Sequence, residues 1–202
     1  MQLHKRDVVD MATSLLDNYG IADLSMRRLA RELNVSPGAL YWHFANKQQL
    51  LGAVADRILQ PVGAIEGDWR TRVEAACTQL RDALLSHTDG AELVSASFAA
   101  GQSKTMTAVL ARLTRDASDA GVAPEHAELA ARTVIYYVLG FTADEQSRLQ
   151  WDAAGADVGP TVWDEDPSTR FAFGLRLLTD GIATHSESVS NSVSDSIVQN
   201  PR

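Results

Sequence analysis

The chain has 202 residues, 45% of them hydrophobic and 22% charged, with a formal net charge of −8. These are the proportions of a core-forming globular protein of one or two domains and exclude a fibre. No apolar run approaches the roughly 20 residues that cross a bilayer, and the N-terminal His4-Lys5-Arg6-Asp7 leads into a short amphipathic pattern rather than a signal-peptide core, so a cytoplasmic protein with no membrane partner is expected.

The charge is divided unevenly. Residues 1–50 hold six Lys/Arg against five Asp/Glu, whereas residues 51–202 hold twelve against twenty-one. The acid excess therefore lies outside the first fifty residues, and a nucleic-acid surface is admissible only there. Cys77 is the sole cysteine, which rules out an intrachain disulfide and a multi-thiolate metal site and leaves a core position as its expected role.

In chain order, Ser25 caps a helix over Met26 to Leu33 in which Met26, Leu29, Ala30 and Leu33 share one face. Asn34-Val35 breaks it. Ser36 is the next N-cap and Pro37 stands at the first helical position, where its missing N–H costs nothing. The following short helix carries Tyr41, Trp42 and His43 behind the small residues Gly38 and Ala39. Two helices joined by so tight a turn cross steeply, and a small leading end with amphipathic aromatics behind it suits entry into a DNA groove. The reading is a helix-turn-helix, with double-stranded DNA as partner.

Asn46 caps the next helix, Lys47 to Leu59, which stops at Pro61. Helices are then expected over Trp69 to His87, Ala91 to Phe98, and Lys104 to Ala120 with Gly121 as C-cap. A long helix over Pro124 to about Leu149 has an apolar face rich in small residues, suited to close helix packing. Gln150 to Asp166 reads as a loop, and Thr169 to Thr184 as the last helix. From Ser186 onward serine recurs at every second position to Ser196, and this polar tract is expected to be disordered because it cannot bury enough apolar surface to offset its ordering entropy. The expected fold is all-α, an N-terminal three-helix helix-turn-helix domain over 1–46 and a helical bundle over 47–185, followed by the tail 186–202.

The head resembles the DNA-binding domain of the tetracycline-repressor (TetR) family of bacterial regulators. The resemblance is carried by Val8-Val9-Asp10-Met11-Ala12, Leu15-Leu16, Tyr19-Gly20, Leu24-Ser25-Met26-Arg27-Arg28-Leu29-Ala30, Leu33-Asn34-Val35, Leu40-Tyr41-Trp42-His43-Phe44, Asn46-Lys47 and Leu50-Leu51. It continues into the body through Leu84-Leu85-Ser86-His87, Asp89-Gly90-Ala91, Leu139-Gly140-Phe141-Thr142, Glu145-Gln146, Phe171 to Leu175 and Gly181. The resemblance implies that 47–185 is an effector-binding and dimerisation domain, with a homodimer held by a four-helix bundle built from the helices 124–149 and 169–184 and a ligand cavity in each subunit.

On the same resemblance Arg27 and Arg28 are both expected on DNA, Arg27 aligning with the base-reading position, while Pro37, Gly38 and Ala39 form the leading end of the recognition helix. With no long polar side chain there, direct readout leans on Arg27, Tyr41 and contact of Ala39 with a thymine methyl, and Trp42, His43 and Lys47 are expected on phosphates. His43 has no second histidine or carboxylate at ligand spacing, so neither a metal nor a catalytic role is expected for it.

The magnesium-tetracycline chemistry of the family does not carry over. Val94, Ala76, Leu80 and Tyr136 stand at the positions of its drug- and metal-contacting side chains, Asp144 stands in place of a glutamate, and only Ser97 keeps a small hydroxyl. Leu80, Val94, Ser97, Phe98, Tyr136, Tyr137, Phe141 and Asp144 are thus the expected effector residues, for a small and largely apolar or aromatic ligand. The function expected is a repressor that binds a palindromic operator as a homodimer and is released by that effector, without a cofactor or a catalytic activity. An adaptor or architectural DNA binder without an effector is the alternative, and a helical enzyme the remoter one, since no nucleophile motif, metal spacing or phosphate loop is present.

Overall fold

A computed structural model describes the backbone of residues 3–155 and 166–198, with side chains through Thr184. Among the described residues every regular element is helical. They are α1 (Lys5–Tyr19), a 3₁₀ turn (Ile21–Asp23), α2 (Met26–Glu32), α3 (Pro37–Tyr41), α4 (Lys47–Ile58), α5 (Trp69–Leu85), α6 (Gly90–Ala99), α7 (Lys104–Asp119), α8 (Pro124–Ala153) and α9 (Pro167–Val198).

The boundaries follow local chemistry. Ser25 Oγ accepts from Arg28 N at 3.2 Å, Ser36 Oγ from Ala39 N at 3.3 Å, and Asn46 Oδ1 from Gln49 N at 2.9 Å, each satisfying an N–H that the first turn leaves open. Between α2 and α3 the chain reverses through Asn34 at φ 53°, with Val35 N donating back to Ala30 O at 2.9 Å. At the start of α5, Asp68 accepts from Thr71 N at 2.8 Å, and hydrogen bonds from Thr71 hold its carboxyl below the usual aspartate value.

Two expected boundaries are corrected. α8 continues past Leu149 to Ala153, since Gln150 to Ala153 contain no breaker, and Gly155 at φ 72° closes it. The last helix begins at Pro167, where Asp166 accepts from Thr169 N at 2.9 Å, and its backbone runs to Val198 rather than ending at Thr184. The disordered tail expected from Ser186 is helical in backbone as far as Val198. No glycine or proline lies between Gly181 and Pro201, and Val189, Val193 and Ile197 recur every fourth residue, a helical period beneath the alternating serines. The expected loop 150–166 falls largely outside the described residues.

The chain forms two compact units. The first comprises Met1–Gly63, Thr78–Ala108 and Val138–Asp157; the second comprises Ala64–Cys77, Val109–Tyr137 and Val158–Arg202. The first unit therefore holds more than the expected head 1–46. Its core packs Leu16, Leu24, Leu29, Leu40, Phe44 and Leu50, all buried. Gly52 of α4 lies so close to Gln102 that a Cβ would overlap its carbonyl. Asp56 of α4 accepts from Ser103 Oγ at 2.7 Å and Thr105 N at 2.9 Å, capping α7.

In the second unit Arg72 holds Asp116 at 2.6 Å and also pairs with Asp119. Tyr137 stacks on Phe171 with ring centroids 5.5 Å apart and donates its hydroxyl to Phe171 O at 2.8 Å, over a Gly174 that has no room for a side chain. Cys77 is buried as expected, and burial pushes its thiol up to about 12.

Candidate nucleic-acid interface

Three short helices present the candidate surface. Leu40 and Phe44 anchor α3 to the head core, which turns the opposite side of this five-residue helix outward. A helix this short does not hold its shape alone, so its pose depends on those two anchors and the Ser36 cap. Pro37 and Gly38 are exposed and Ala39 is half-buried. Tyr41 is 52% exposed, and Trp42, at 90%, is the most exposed of the large hydrophobic side chains among the described residues. His43 is half-buried, and Lys47 at the first turn of α4 is exposed.

The arginine pair at the start of α2 divides. Arg27 is exposed. Arg28 points back into the head, with Nη1 donating to Asp23 at 2.5 Å and its guanidinium 3.9 Å from the Tyr19 ring centre. Arg28 thus ties α2 to the end of α1 and to the 3₁₀ turn, where the sequence reading set it on DNA beside Arg27. The reading also missed Lys5, whose ammonium lies 4.7 Å over the Phe44 ring, just beyond the recognition helix. A lysine at the first turn of α1 carries no signal of that contact in sequence, because the aromatic partner is thirty-nine residues away.

The effector candidates sit unevenly. Leu80, Val94 and Ser97 are buried, and Phe98 and Phe141 half-buried, in the first unit, where Asp144 is exposed. Tyr137, half-buried, and Tyr136, 57% exposed, belong to the second unit. Asp144 stands where the resemblance implied an acidic ligand contact, but the buried carboxylate is the next residue, Glu145. It accepts from Arg81 Nε at 2.9 Å and Nη2 at 2.7 Å, a two-point pair joining α5 to α8. The available signal was a charged residue on each apolar stripe, Glu145 four after Phe141 and Arg81 four after Cys77. Among the described residues no group of three or more His, Cys, Asp or Glu could hold a metal ion, and no helix is long and apolar enough to cross a membrane.

Residues 8–54 match the family model of bacterial regulatory proteins of the tetR family, and residues 64–165 match the tetracyclin repressor-like C-terminal domain. The tetracycline repressor protein class A from transposon 1721 of Escherichia coli is 31% identical over 204 residues, covering 90% of this chain and 91% of that protein. The crystal structure of Mycobacterium smegmatis BioQ is 62% identical with a TM-score of 0.86, covering 91% of this chain and 99% of its own. A structure of BioQ with its natural double-stranded DNA operator is 59% identical with a TM-score of 0.81, covering 91% of this chain and 100% of the other.

Proposed function

Because the chain belongs to the TetR family of bacterial transcriptional regulators, we propose that it is a repressor which binds a palindromic operator as a homodimer and leaves it when a small effector binds the body. The observation that carries this reading is the recognition helix. Tyr41 and Trp42 stand out into solvent, Arg27 on α2 and Lys47 on α4 are exposed cations, and Leu40, Phe44 and the Ser36 cap fix the recognition helix. A relative 59% identical in complex with its operator supports duplex DNA as the partner.

Arg27 and Tyr41 read base edges, Ala39 meets a thymine methyl, Pro37 and Gly38 let the helix end approach closely, and Trp42, His43 and Lys47 hold phosphates. A head of this size spans one half-site, so two copies about 34–36 Å apart are needed to read successive major grooves. A dimer follows from that requirement, and the exposed apolar residues Leu129, Phe173 and Leu177 of α8 and α9 are consistent with burial against a second copy.

The effector is apolar or aromatic with few polar groups. Leu80, Val94, Ser97, Phe98, Tyr136, Tyr137, Phe141 and Asp144 are its candidate contacts, and buried Val94 and Ala76 offer no donor where a tetracycline chelate needs one. It acts by binding the two conformations of the dimer with different affinity.

Titrating the purified protein with the BioQ operator duplex and a scrambled duplex at physiological salt tests the reading. Preferential binding of the operator, reversed by aromatic compounds and indifferent to magnesium-tetracycline, is the expected result. Equal affinity for both duplexes, with no motif enriched from random duplexes, would overturn it.

A further inference from the structure

The turn between α5 and α6 holds the head at one place. His87 Nδ1 donates to both carboxylate oxygens of Asp17, at 3.0 and 3.1 Å, and Thr88 Oγ1 donates to the Asp17 carbonyl at 2.9 Å. Asp89 Oδ2 accepts from Ile21 N at 2.9 Å, reaching past Gly20, where a Cβ would strike that carboxylate. Gly20 and Asp89 are both at positive φ, 76° and 53°, a region that few residues other than glycine, asparagine and aspartate adopt. Among the described residues, the side-chain hydrogen bonds and ion pairs between residues 3–46 and the segments after α4 all pass through this turn.

The turn is itself held from α8. Gln146 Nε2 donates to the carbonyls of Leu84 at 3.0 Å and His87 at 2.7 Å while its Oε1 accepts from Ala91 N at 3.0 Å, and Gln150 Nε2 donates to Asp89 Oδ1 at 2.6 Å. Asp89 therefore uses one oxygen on the head and the other on α8. Buried Gln146 is satisfied at both ends of its amide, so the turn cannot shift without breaking several bonds together.

The geometry points to the Asp17–His87 and Ile21–Asp89 contacts as a joint that sets the angle of the head and, through it, the half-site spacing that the protein accepts. Asp17, His87 and Asp89 are positioning residues on this account. They touch no base, and their effect is a penalty against operators of the wrong length. One added base pair moves a half-site by about 3.4 Å and turns it by about 35°, which a rigidly held head cannot follow. This inference rests on the two-half-site reading of the preceding section.

The experiment measures binding of a palindromic duplex obtained by selection, and of the same duplex with one and two base pairs inserted at its centre. Wild-type chain, His87→Ala, Asp89→Ala and the milder Asp17→Asn are compared, each checked for native helix content by circular dichroism. In the variants the affinity lost per inserted base pair should shrink by about 2-fold to 10-fold, the span of a lost hydrogen bond. Weakening that is equal at every spacing, or an unchanged profile in the well-folded Asp17→Asn and His87→Ala proteins, overturns the joint and leaves the two-half-site reading standing. A wild-type protein indifferent to spacing overturns that reading and the joint with it.

Discussion

Arg27 and Arg28 are neighbours in sequence, but a helix turns about 100° per residue, so one faces solvent while the other closes on Asp23 and Tyr19. Their substitutions should separate. Arg27→Ala is expected to cost about 1–3 kcal/mol of specific DNA affinity with an unchanged melting curve. Arg28→Ala should remove about 1–2 kcal/mol of stability, the sum of a partly exposed ion pair and a cation–π contact, and weaken DNA binding only through the loosened head. Thermal melts alongside operator titrations decide it, and identical behaviour of the two variants would refute the division. Cys77 gives a second test at this scale. It is 1% exposed with a thiol pushed up to about 12, so its reactive thiolate is both scarce and unreachable at neutral pH. Alkylation by iodoacetamide should be negligible in the native protein and complete in denaturant. Fast native labelling would mean that the α5 packing opens readily.

At the scale of the helices, the reading head depends on ends more than on lengths. α2 has seven residues and α3 five, too few to be stable by propagation. Ser25→Ala and Ser36→Ala should each cost about 0.5–2 kcal/mol in urea denaturation, with the larger loss of DNA affinity for Ser36→Ala because its cap holds the recognition helix itself. In the second unit Gly174→Ala should cost about 1–3 kcal/mol, since the added methyl must displace the Tyr137 ring and its hydroxyl bond to Phe171. A neutral result would show that α9 shifts freely. These elements were legible in sequence because their signals are local: Ser-Pro at the start of α3, Asn46 before α4, and apolar residues at helical intervals. The inward turn of Arg28, the Arg81–Glu145 pair and the hold of Asp89 on Ile21 were not, because each joins residues whose meeting depends on how helices pack. The backbone of α9 runs past Thr184 because serine-rich composition does not by itself stop a helix where apolar residues keep a four-residue interval.

For the molecule as a whole, charge decides how DNA is approached. The first fifty residues carry a net +1 and the rest −9, so attraction is confined to the head and a DNA strand lying across the body meets repulsion. In the head Lys5, Arg6, Arg27, Arg31 and Lys47 are exposed, while Arg28 is committed to Asp23. If Arg27 reads a base and Arg31 stays beside Glu32, with which it pairs at 3.5 Å, then two or three cations per head remain for phosphates, or four to six per dimer. Each released counterion contributes a slope of about −0.9, so the logarithm of operator affinity should fall against the logarithm of salt with a slope of about −4 to −5. That is about a few hundred-fold to a thousand-fold between 50 and 200 mM salt. On the proposed contacts of a dimer, Lys47→Ala takes away one phosphate partner per protomer and should flatten the slope by about 2 while sparing discrimination between operator and scrambled DNA. Fluorescence anisotropy across that salt range measures both. An unchanged slope in Lys47→Ala would remove α4 from the DNA surface, and a wild-type slope near −10 would mean that the body, despite its acidity, also meets the duplex.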